Sequence, residues 1–556
     1  AVLPFLAILV DPYTLFVHPD AQSIIRFLRL TEPKQLLLPL TIAFGLAAFT
    51  SGAMRLLLHW ASSSLSYSAG ADLSASIYRR TLYQPYAVHV ARNSSEIING
   101  ILTKTNNSIN LIYMTLNLIG SFIMMIAILI ALLYVDPIIA IAAFTGFGLI
   151  YVVVIKLTQK QLLINGQIVA QESTRVIKYL QEGMGGIRDV LIDGSQQVYC
   201  REYGNADRSL RRAQGSNSFI SSSPRSGVEA LGMLLIACLA YTLANESNGV
   251  AKAIPVLGAL ALGAQRLLPV LQQAYSSWAN ILGGKASLHD ALELLDQPLP
   301  NYAEEPQPMP LPFSAEIALK QLCFRYGSET PLILKNINLT ICKGSRVGFV
   351  GATGSGKSTA LDILMGLLPP TAGALRVDDL AVTGLQLRAW QRTIAHVPQS
   401  IYLADTTLAE NIAFGIPKAD IDMNRVRQAA RRAQIAEFIE SRPEGYDALI
   451  GERGVRLSGG QRQRIGIARA LYKQASVLVF DEATSALDNA TERSVMEAID
   501  GLTRDLTVLL IAHRLTTVRH CDIIVELKDG LVSAVGSYDE LLGTSDSFRK
   551  LAMAGA

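Results

Sequence analysis

The chain has 556 residues, which is too long for one domain, and 50% of them are hydrophobic against 17% charged. That composition excludes a purely soluble enzyme, because so much apolar surface needs lipid around part of the chain. The formal net charge is +3 and no Lys/Arg-rich tract stands out, so nothing in the charge pattern indicates a nucleic-acid partner.

The first half of the chain is predicted to be a bundle of membrane-spanning helices. It opens with AVLPFLAILV, half of the roughly 20 residues that a helix needs to cross a bilayer, so we expect a truncated first span. Lys and Arg collect in the connection 158–226, which places that connection in the cytoplasm. Five further spans are predicted at about 36–54, 113–134, 137–157, 227–245 and 251–271, which makes six in all.

Two long cytoplasmic connections separate these spans, at about 60–110 and 158–226. They lack proline-rich and low-complexity segments and are rich in helix formers, so we expect the spans to continue as helices beyond the membrane. Gly, Pro and Asn interrupt this pattern at 84–93 and 190–199, which are the candidate turning points. Ordinary surface loops are the other interpretation, although loops of this length without secondary structure are uncommon.

The segment between the first two spans is predicted to face outward. Within it, Ile24, Ile25 and Phe27 alternate with Arg26 at helical spacing, after a candidate Asp20 cap. This pattern predicts a short amphipathic helix at the outer membrane interface. The same pattern is explained equally well by a helix that only covers the outer end of the helix bundle.

The segment 295–312, LDQPLPNYAEEPQPMPLP, is rich in Pro and acidic residues and is predicted to be a linker. It would join a transmembrane domain, 1–294, to a second domain, 313–556. From about 315 onward, apolar β-branched runs alternate with helical patterns, which is typical of an α/β domain with a mainly parallel sheet.

The sequence GATGSGKST follows the strand-like run SRVGFV and fits the phosphate-loop pattern G-x-x-x-x-G-K-[ST]. The glycines of such a loop let backbone N–H groups and the following helix N-terminus hold phosphate oxygens. We expect Lys357 to reach the terminal phosphates of a nucleotide and the Ser358 hydroxyl to bind Mg²⁺. The candidate nucleotide-binding residues of this loop are Gly351, Thr353, Gly354, Ser355, Gly356, Lys357, Ser358 and Thr359.

The run ASVLVFDE ends in two carboxylates, Asp481 and Glu482, after four apolar residues. A buried strand that ends in this way suits a metal site. Asp481 can hold Mg²⁺, and Glu482 can polarise the attacking water. The run alone is a weak signal, but together with the phosphate loop it indicates nucleotide hydrolysis.

The segment LSGGQRQR, 457–464, lies about twenty residues before Asp481. At this segment the chain resembles the ABC transporter family, whose nucleotide-binding domains carry this signature between the two other motifs. The resemblance implies ATP as the nucleotide. In this family the phosphate loop of one subunit faces the signature of the other, so it also implies a homodimer. The signature residues expected to contact ATP are Ser458, Gly459, Gly460 and Gln461.

The remaining motifs follow in the order of the family. Tyr326 in FRYG looks like the aromatic residue that stacks on adenine, and Gln399 in HVPQS looks like the glutamine that also binds Mg²⁺. SALD, 485–488, resembles the D-loop, and His513 in IAHR resembles the switch histidine. Taken singly, Tyr326 and His513 have ordinary packing roles as alternatives. By this resemblance the candidate catalytic residues are Glu482, His513 and Gln399.

The membrane half resembles the exporter branch of the family, with six spans, long cytoplasmic extensions and the cassette C-terminal on the same chain. The expected fold is an all-α six-helix transmembrane domain followed by an α/β P-loop ATP-binding domain. The expected location is the cytoplasmic (inner) membrane, with the ATP-binding domain in the cytoplasm. A non-transporting ATPase of the same superfamily is disfavoured by the spans, and a soluble kinase is excluded by LSGGQ.

Three arginines in or near spans are candidate cargo ligands: Arg55, Arg225 and Arg266. Charges in such positions are costly and therefore functional candidates. One interpretation is that they snorkel to lipid headgroups. The other is that they point into the bundle and pair with a phosphate-bearing cargo, which a guanidinium fork suits.

The external helix and the stretches around these arginines resemble the lipid-linked oligosaccharide flippases of bacterial N-glycosylation. That resemblance implies a polyprenyl-pyrophosphate saccharide as cargo. An exporter of other lipids, peptides or drugs is the alternative. The glycan, the lipid tail and the choice between a homodimer and a heterodimer stay open at this point.

Overall fold

The computed structural model describes residues 12–17, 22–27, 30–135, 137–244, 249–481, 506–512 and 515–554. The chain divides into two compact units, which are considered separately. The helical unit is Ala1–Gln84 with Arg92–Leu299, and the ATP-binding unit is Pro85–Ala91 with Pro300–Ala556.

Long helices make up the helical unit, and short helices lie between them along the chain; one of these, Tyr86–Ala91, belongs to the ATP-binding unit. Pro33–Leu36 is a 3₁₀ turn, Gly100–Lys104 is a π-helical turn and Asn301–Glu304 is a further 3₁₀ turn, within the predicted linker. In chain order the helices up to the linker are α1 (Pro12–Val17), α2 (Gln22–Phe27), α3 (Leu37–Leu82), α4 (Tyr86–Ala91), α5 (Ser94–Asn99), α6 (Thr105–Val135), α7 (Pro137–Gly185), α8 (Ile187–Ile192), α9 (Gln196–Ala244) and α10 (Gly249–Leu295).

The length of α7 and α9 shows that they extend beyond a membrane. Each has 49 residues, which at 1.5 Å per residue is about 70 Å, against about 30 Å for the hydrocarbon core of a bilayer. The short helix α4 lies in the first predicted turning point. At the second, α8 is followed by Gly194, whose φ of +63° turns the chain into α9.

Three helical stretches of the described residues are long and apolar enough to cross a membrane: Pro33–Leu82, Ser94–Leu133 and Phe144–Gly185. Their most apolar windows are only 6%, 6% and 11% buried inside the protein. Apolar helix surface that the protein does not cover needs lipid around it. The spans predicted at 227–245 and 251–271 fall on α9 and α10, where many side chains lie outside the description.

The predicted amphipathic helix is present as α2. Arg26 is exposed, whereas Ile25 is buried, which is the two-faced pattern that its periodicity predicts. The candidate cap, Asp20, lies outside the described residues. The apolar face packs in a small cluster of Ile25, Leu36, Phe16 and Leu30.

Helices α7 and α10 approach closely at a pair of glycines. A Cβ atom on Gly166 would lie 2.5 Å from the carbonyl oxygen of Gly283, which is rigid backbone.

Gly166→Ala is therefore expected to destabilise the protein by about 1–3 kcal/mol, measured as the shift in its thermal unfolding midpoint in detergent. Gly215→Ala in α9 is the matched control, because no atom lies within 4 Å of its Cβ position. At position 215, alanine should stabilise the helix by about 1 kcal/mol relative to glycine. Equal unfolding midpoints for Gly166→Ala and Gly215→Ala would contradict the close approach of α7 and α10.

The ATP-binding unit contains two sheets. The six-stranded sheet has the order β10-β9-β3-β8-β7-β6 and is parallel except for the β9–β10 pair. The four-stranded sheet, β2-β1-β4-β5, is antiparallel. The strands are β1 (Glu316–Phe324), β2 (Leu334–Cys342), β3 (Arg346–Val350), β4 (Ala372–Val377), β5 (Leu380–Ala381), β6 (Ile394–Val397), β7 (Val477–Asp481), β8 (Thr507–Ile511), β9 (Ile523–Lys528) and β10 (Leu531–Gly536).

The central strands are apolar through their middle residues because both faces of the sheet are covered. In β7, Val477 and Val479 join one apolar cluster, and Leu478 and Phe480 join the other. Among the described residues after the linker, the helices of this unit are α11 (Lys357–Leu364), α12 (Leu385–Thr393), α13 (Leu408–Ile412), α14 (Met423–Arg432), α15 (Ala436–Glu440), α16 (Gly459–Lys473), α17 (Leu515–Val518), α18 (Tyr538–Thr544) and α19 (Asp546–Ala554).

Candidate active site

The phosphate loop joins β3 to α11 in a backbone conformation that requires glycine. Gly351 has a φ of +146°, and a Cβ there would lie 2.1 Å from the carbonyl oxygen of Leu527. Gly356 has a φ of +99°, and its Cβ would lie 2.7 Å from a methyl group of Leu334. The loop is therefore packed tightly from behind, and its backbone can approach a phosphate from the front.

Three polar side chains predicted to bind the nucleotide are buried: Ser355, Lys357 and Thr359. Lys357 is only 6% exposed, and its ammonium group donates hydrogen bonds to the carbonyl oxygens of Gly351 and Ala352 at 2.9 and 3.0 Å. The Ser355 hydroxyl is buried and has no hydrogen-bond partner among the described residues. A buried hydroxyl without a partner is costly, and a phosphate oxygen would supply one. Of the other predicted residues, Thr353, Gly354 and Ser358 are exposed.

Tyr326 presents an open aromatic ring next to this loop. The residue is 56% exposed. Phe324 packs edge-on against the ring, with 5.0 Å between ring centroids, and the Tyr326 hydroxyl lies 3.3 Å from the Thr359 hydroxyl. A ring that is fixed in this way and remains exposed can stack on a planar base.

Strand register brings the predicted metal-binding residues to one edge of the sheet. Asp481 pairs with Ile511 of β8, and Ile511 pairs with Phe349 of β3, just before the phosphate loop. Gln399 is two residues past the end of β6, the neighbour of β7. The carboxyl ends of these parallel strands meet at the same edge, which is where α/β sheets bind ligands.

A second carboxylate, Asp362 of α11, interacts electrostatically with Asp481, and the sequence reasoning missed it. Burial, and then the charge of Asp481, raise the pKa of Asp362 to about 6. Its position four residues after Ser358 puts both on one face of α11, a signal that could have found it. Carboxylate, hydroxyl and amide oxygens close together are the donor set that Mg²⁺ prefers.

The signature segment forms the N-terminus of α16. Ser458 is the N-cap: its hydroxyl accepts a hydrogen bond from the Gln461 N–H at 3.2 Å, and the Gln461 side chain accepts one from the Ser458 N–H at 2.9 Å. The Gln461 side chain thus has a capping role in addition to the ATP contact predicted for it. Ser458 and Gly459 are exposed and Gly460 is half-buried, so the helix N-terminus is open to an anion.

Glu482, the D-loop 485–488 and His513 lie outside the described residues. The strand that leads to Glu482 ends at Asp481, and the strand that leads to His513 ends at Ile511. Their roles stay predictions.

Arg55 lines a cavity of about 450 Å³ between α3, α6 and α10 of the helical unit. No carboxylate lines this cavity, and no ion pair of Arg55 occurs in the described part of the chain. Arg225 is not among the lining residues. Its Nε lies 2.9 Å from a carboxylate oxygen of Glu229, one turn further along α9. Arg266 lies in α10, but its side chain is outside the description. Arg55 and Arg225 therefore do not line the same cavity, and the role predicted for Arg266 stays a prediction.

The same cavity contains polar residues that the sequence reasoning missed. Each helix contributes polar side chains separated by three, four or eight residues, which places them on one face. His59 is held by the Tyr113 hydroxyl at 3.2 Å from its Nδ1. Polar residues at helical spacing inside apolar spans are the signal that could have found them. They are His59 and Ser62 on α3, Asn117 and Ser121 on α6, and Gln265 and Gln273 on α10.

Comparison with known proteins identifies both units. The ABC transporter family model matches residues 334–485, and the ABC transporter transmembrane region model matches residues 14–248. An ATP-dependent lipid A-core flippase of Albidiferax ferrireducens is 30% identical over 501 residues, covering 89% of this chain and 84% of the relative. The chain belongs to the ABC transporter family. It is therefore a membrane protein with an ATPase that is coupled to transport, and its ATP-binding unit lies in the cytoplasm.

Two further likenesses cover nearly the whole transporter. An ATP-dependent lipid A-core flippase of Cupriavidus metallidurans is 29% identical over 533 residues, which is 93% of this chain and 86% of the relative. The solved structure of a bacterial Atm1-family ABC exporter with ATP bound has a TM-score of 0.79 at 24% identity, covering 100% of this chain and 98% of that one. The predicted fold class is thus confirmed, and the fold is that of an exporter.

Proposed function

We propose that this ABC transporter is a flippase that moves a lipid with a phosphate-bearing headgroup across the cytoplasmic membrane. The observation that carries the proposal is the cavity around Arg55. It combines an arginine that has no carboxylate partner in the described chain with neutral amides and hydroxyls. A guanidinium fork binds phosphate, and amides and hydroxyls bind sugar or other polar headgroups. The names of the relatives, lipid A-core flippases, support a lipid cargo.

Within this class we infer a polyprenyl-pyrophosphate saccharide, as the resemblance around the arginines implies. Other lipids are the alternative, and the relatives' names are equally consistent with them. Arg55 is the principal ligand of the cargo in this proposal. Arg225 has a smaller role, since Glu229 already neutralises its charge, and Arg266 stays a predicted ligand.

The transporter is proposed to work as a homodimer with Mg²⁺·ATP. Asp481, Ser358 and Gln399 come to one edge of the sheet and would hold Mg²⁺, which supplies positive charge to the terminal phosphates. The exposed N-terminus of α16, with Ser458, would contact ATP bound to the phosphate loop of the second copy. Glu482 would orient the attacking water.

Arg55→Ala is expected to lower the rate of cargo translocation in proteoliposomes by about tenfold or more, equivalent to about 1.4 kcal/mol. Arg55→Lys keeps the charge but loses the fork, so its effect should be smaller. Basal ATP hydrolysis should survive both changes. Arg201→Ala, at an exposed position of α9 in the cytoplasmic extension, is the matched control and should translocate cargo as the parent does.

Translocation at the parent rate by Arg55→Ala would contradict the proposed role of the cavity. Arg225→Ala in the same assay should have a smaller effect than Arg55→Ala. The positive charge of Arg225 is already balanced by Glu229, so less of it is available to the cargo. The reverse order would assign the cargo to Arg225.

A further inference from the structure

The ATP-binding unit contains a second concentration of positive charge, away from the phosphate loop. It surrounds an open groove of about 740 Å³ between α12, β6, α14 and the C-terminal end of α16. We call it the cationic groove, and its basic side chains are Arg388, Arg392, His396, Arg425, Arg469 and Lys473. None of them belongs to the phosphate loop, the signature or the edge that bears Asp481.

The charges of the cationic groove are not neutralised by the protein. In the part of the chain that the structure describes, none of these arginines or Lys473 forms an ion pair with a carboxylate. Asp420 and Asp422 also line the groove. Asp422, however, accepts hydrogen bonds from the Asn424 and Arg425 N–H groups as the N-cap of α14. Four arginines and Lys473 therefore face two carboxylates, one of which is engaged in capping.

Backbone carbonyls hold these cations in place. Arg392 donates to the Pro308 carbonyl at 2.8 Å and Arg388 to the Tyr302 carbonyl at 3.1 Å. Lys473 donates to the carbonyls of Gln391 and Ile394, the first at 2.9 Å. Carbonyls orient a cation but do not cancel its charge. A guanidinium has five N–H donors, so donors remain for a ligand.

Two buried nitrogens of the groove lack any partner among the described residues: His396 Nε2 and Arg425 Nε. The Arg425 guanidinium stacks on the Tyr472 ring at 4.6 Å, which fixes its plane. A buried donor without an acceptor, such as the Arg425 Nε–H, is costly in a native fold, and a bound ion or ligand is one way to satisfy it. Both features are expected of a site preformed for an anion.

The electrostatics of the groove agree with this. Burial lowers the pKa of Arg469 to about 10. Burial, and then the neighbouring charge of Arg392, lower the pKa of Lys473. Depressed pKa values of cations mean that the positive charge is unfavourable where it is, and a bound anion would relieve it.

We propose that the cationic groove binds a phosphate-bearing anion at a site separate from the ATP site. Bidentate guanidinium contacts suit phosphate oxygens, and the groove is large enough for two or more phosphate groups. The groove connects the predicted linker, through Pro308, with α14 and α16. Its ligand would therefore tie together three parts of the ATP-binding unit and stabilise that unit.

The test is a calorimetric titration of the purified full-length chain in detergent with pyrophosphate. The chain is first saturated with Mg²⁺ and a non-hydrolysable ATP analogue, so that the phosphate loop is occupied. The parent is expected to bind pyrophosphate saturably, with one site per chain. Arg392→Gln/Lys473→Gln should raise the Kd by about tenfold or more. Arg427→Gln/Arg432→Gln, which removes two exposed charges of α14 outside the groove, is the matched control and should bind as the parent does.

Absence of pyrophosphate binding to the parent, or equal affinity in the two double variants, would overturn the proposal. Because Lys473 bonds to two carbonyls, its replacement can also loosen the fold. The affinity of each variant for the ATP analogue reports on this loosening, and Arg388→Gln serves as a second, milder variant that should also raise the Kd for pyrophosphate.

A parallel titration in nanodiscs distinguishes the source of the phosphate. Equal Kd values in phosphatidylglycerol and phosphatidylcholine indicate a soluble phosphate compound, whereas a Kd raised only in phosphatidylglycerol indicates a competing lipid headgroup.

Discussion

Glu482→Gln is expected to leave ATP binding intact and to lower the rate of ATP hydrolysis by about 100- to 10,000-fold, the usual contribution of a positioned general base. Glutamine keeps the size of the side chain, so the Mg²⁺ and phosphate contacts of Asp481 and Lys357 should persist. The loss should therefore appear in kcat and not in the affinity for ATP. Steady-state phosphate release and equilibrium binding of a labelled ATP analogue measure the two quantities.

Lys357→Ala is the matched comparison for this experiment. Lys357 is buried within the phosphate loop, so its removal should weaken ATP binding itself. A Glu482→Gln chain that hydrolyses ATP near the parent rate would remove Glu482 from the chemistry. A Glu482→Gln chain that fails to bind ATP would assign it to binding.

Coexpression of Lys357→Ala and Ser458→Arg chains is expected to restore ATPase activity that each variant lacks alone. In a homodimer of either variant, both composite sites are damaged. In the heterodimer, the intact phosphate loop of one chain faces the intact signature of the other, so one site is complete. If chains pair at random and sites act independently, activity should reach about a quarter of the parent value.

The control is coexpression of Lys357→Ala with the double variant Lys357→Ala/Ser458→Arg. No dimer of these chains contains an intact phosphate loop, so activity should stay at background. If the first mixture is as inactive as its control, the shared site and the proposed homodimer are contradicted.

The local motifs of the ATP-binding unit were predictable because their residues are close together in the sequence, so the local backbone alone determines their geometry. A strand, a glycine loop and a helix follow one another within 346–364, and the structure places Lys357 and Ser358 at the start of α11 as predicted. The mainly parallel order of the sheet could also be inferred, because apolar β-branched runs alternate with helical patterns along this part of the chain. Register then brings Asp481 level with β3.

Sites that are assembled from distant segments were not predictable. The cavity of Arg55 is lined by three helices, and its first and last lining residues, Arg55 and Gln273, lie more than 200 residues apart in the sequence. The ion pair of Arg225 with Glu229 is local, but the four-residue spacing alone did not show that the pair forms, and it would compete with the cargo binding proposed for Arg225. The capping role of Gln461 was missed because the family pattern led us to predict an ATP contact for this residue.

The most direct test of the proposed flippase is translocation of a fluorescent polyprenyl-pyrophosphate saccharide in proteoliposomes that contain only this chain. With Mg²⁺·ATP outside, vesicles should move the labelled lipid from the outer leaflet to the inner one, and a membrane-impermeant quencher then loses access to it. The account predicts this movement for the parent and its loss in Glu482→Gln. The account would be contradicted if ATP were hydrolysed, and hydrolysis were stimulated by apolar compounds, while the labelled lipid remained fully open to the quencher.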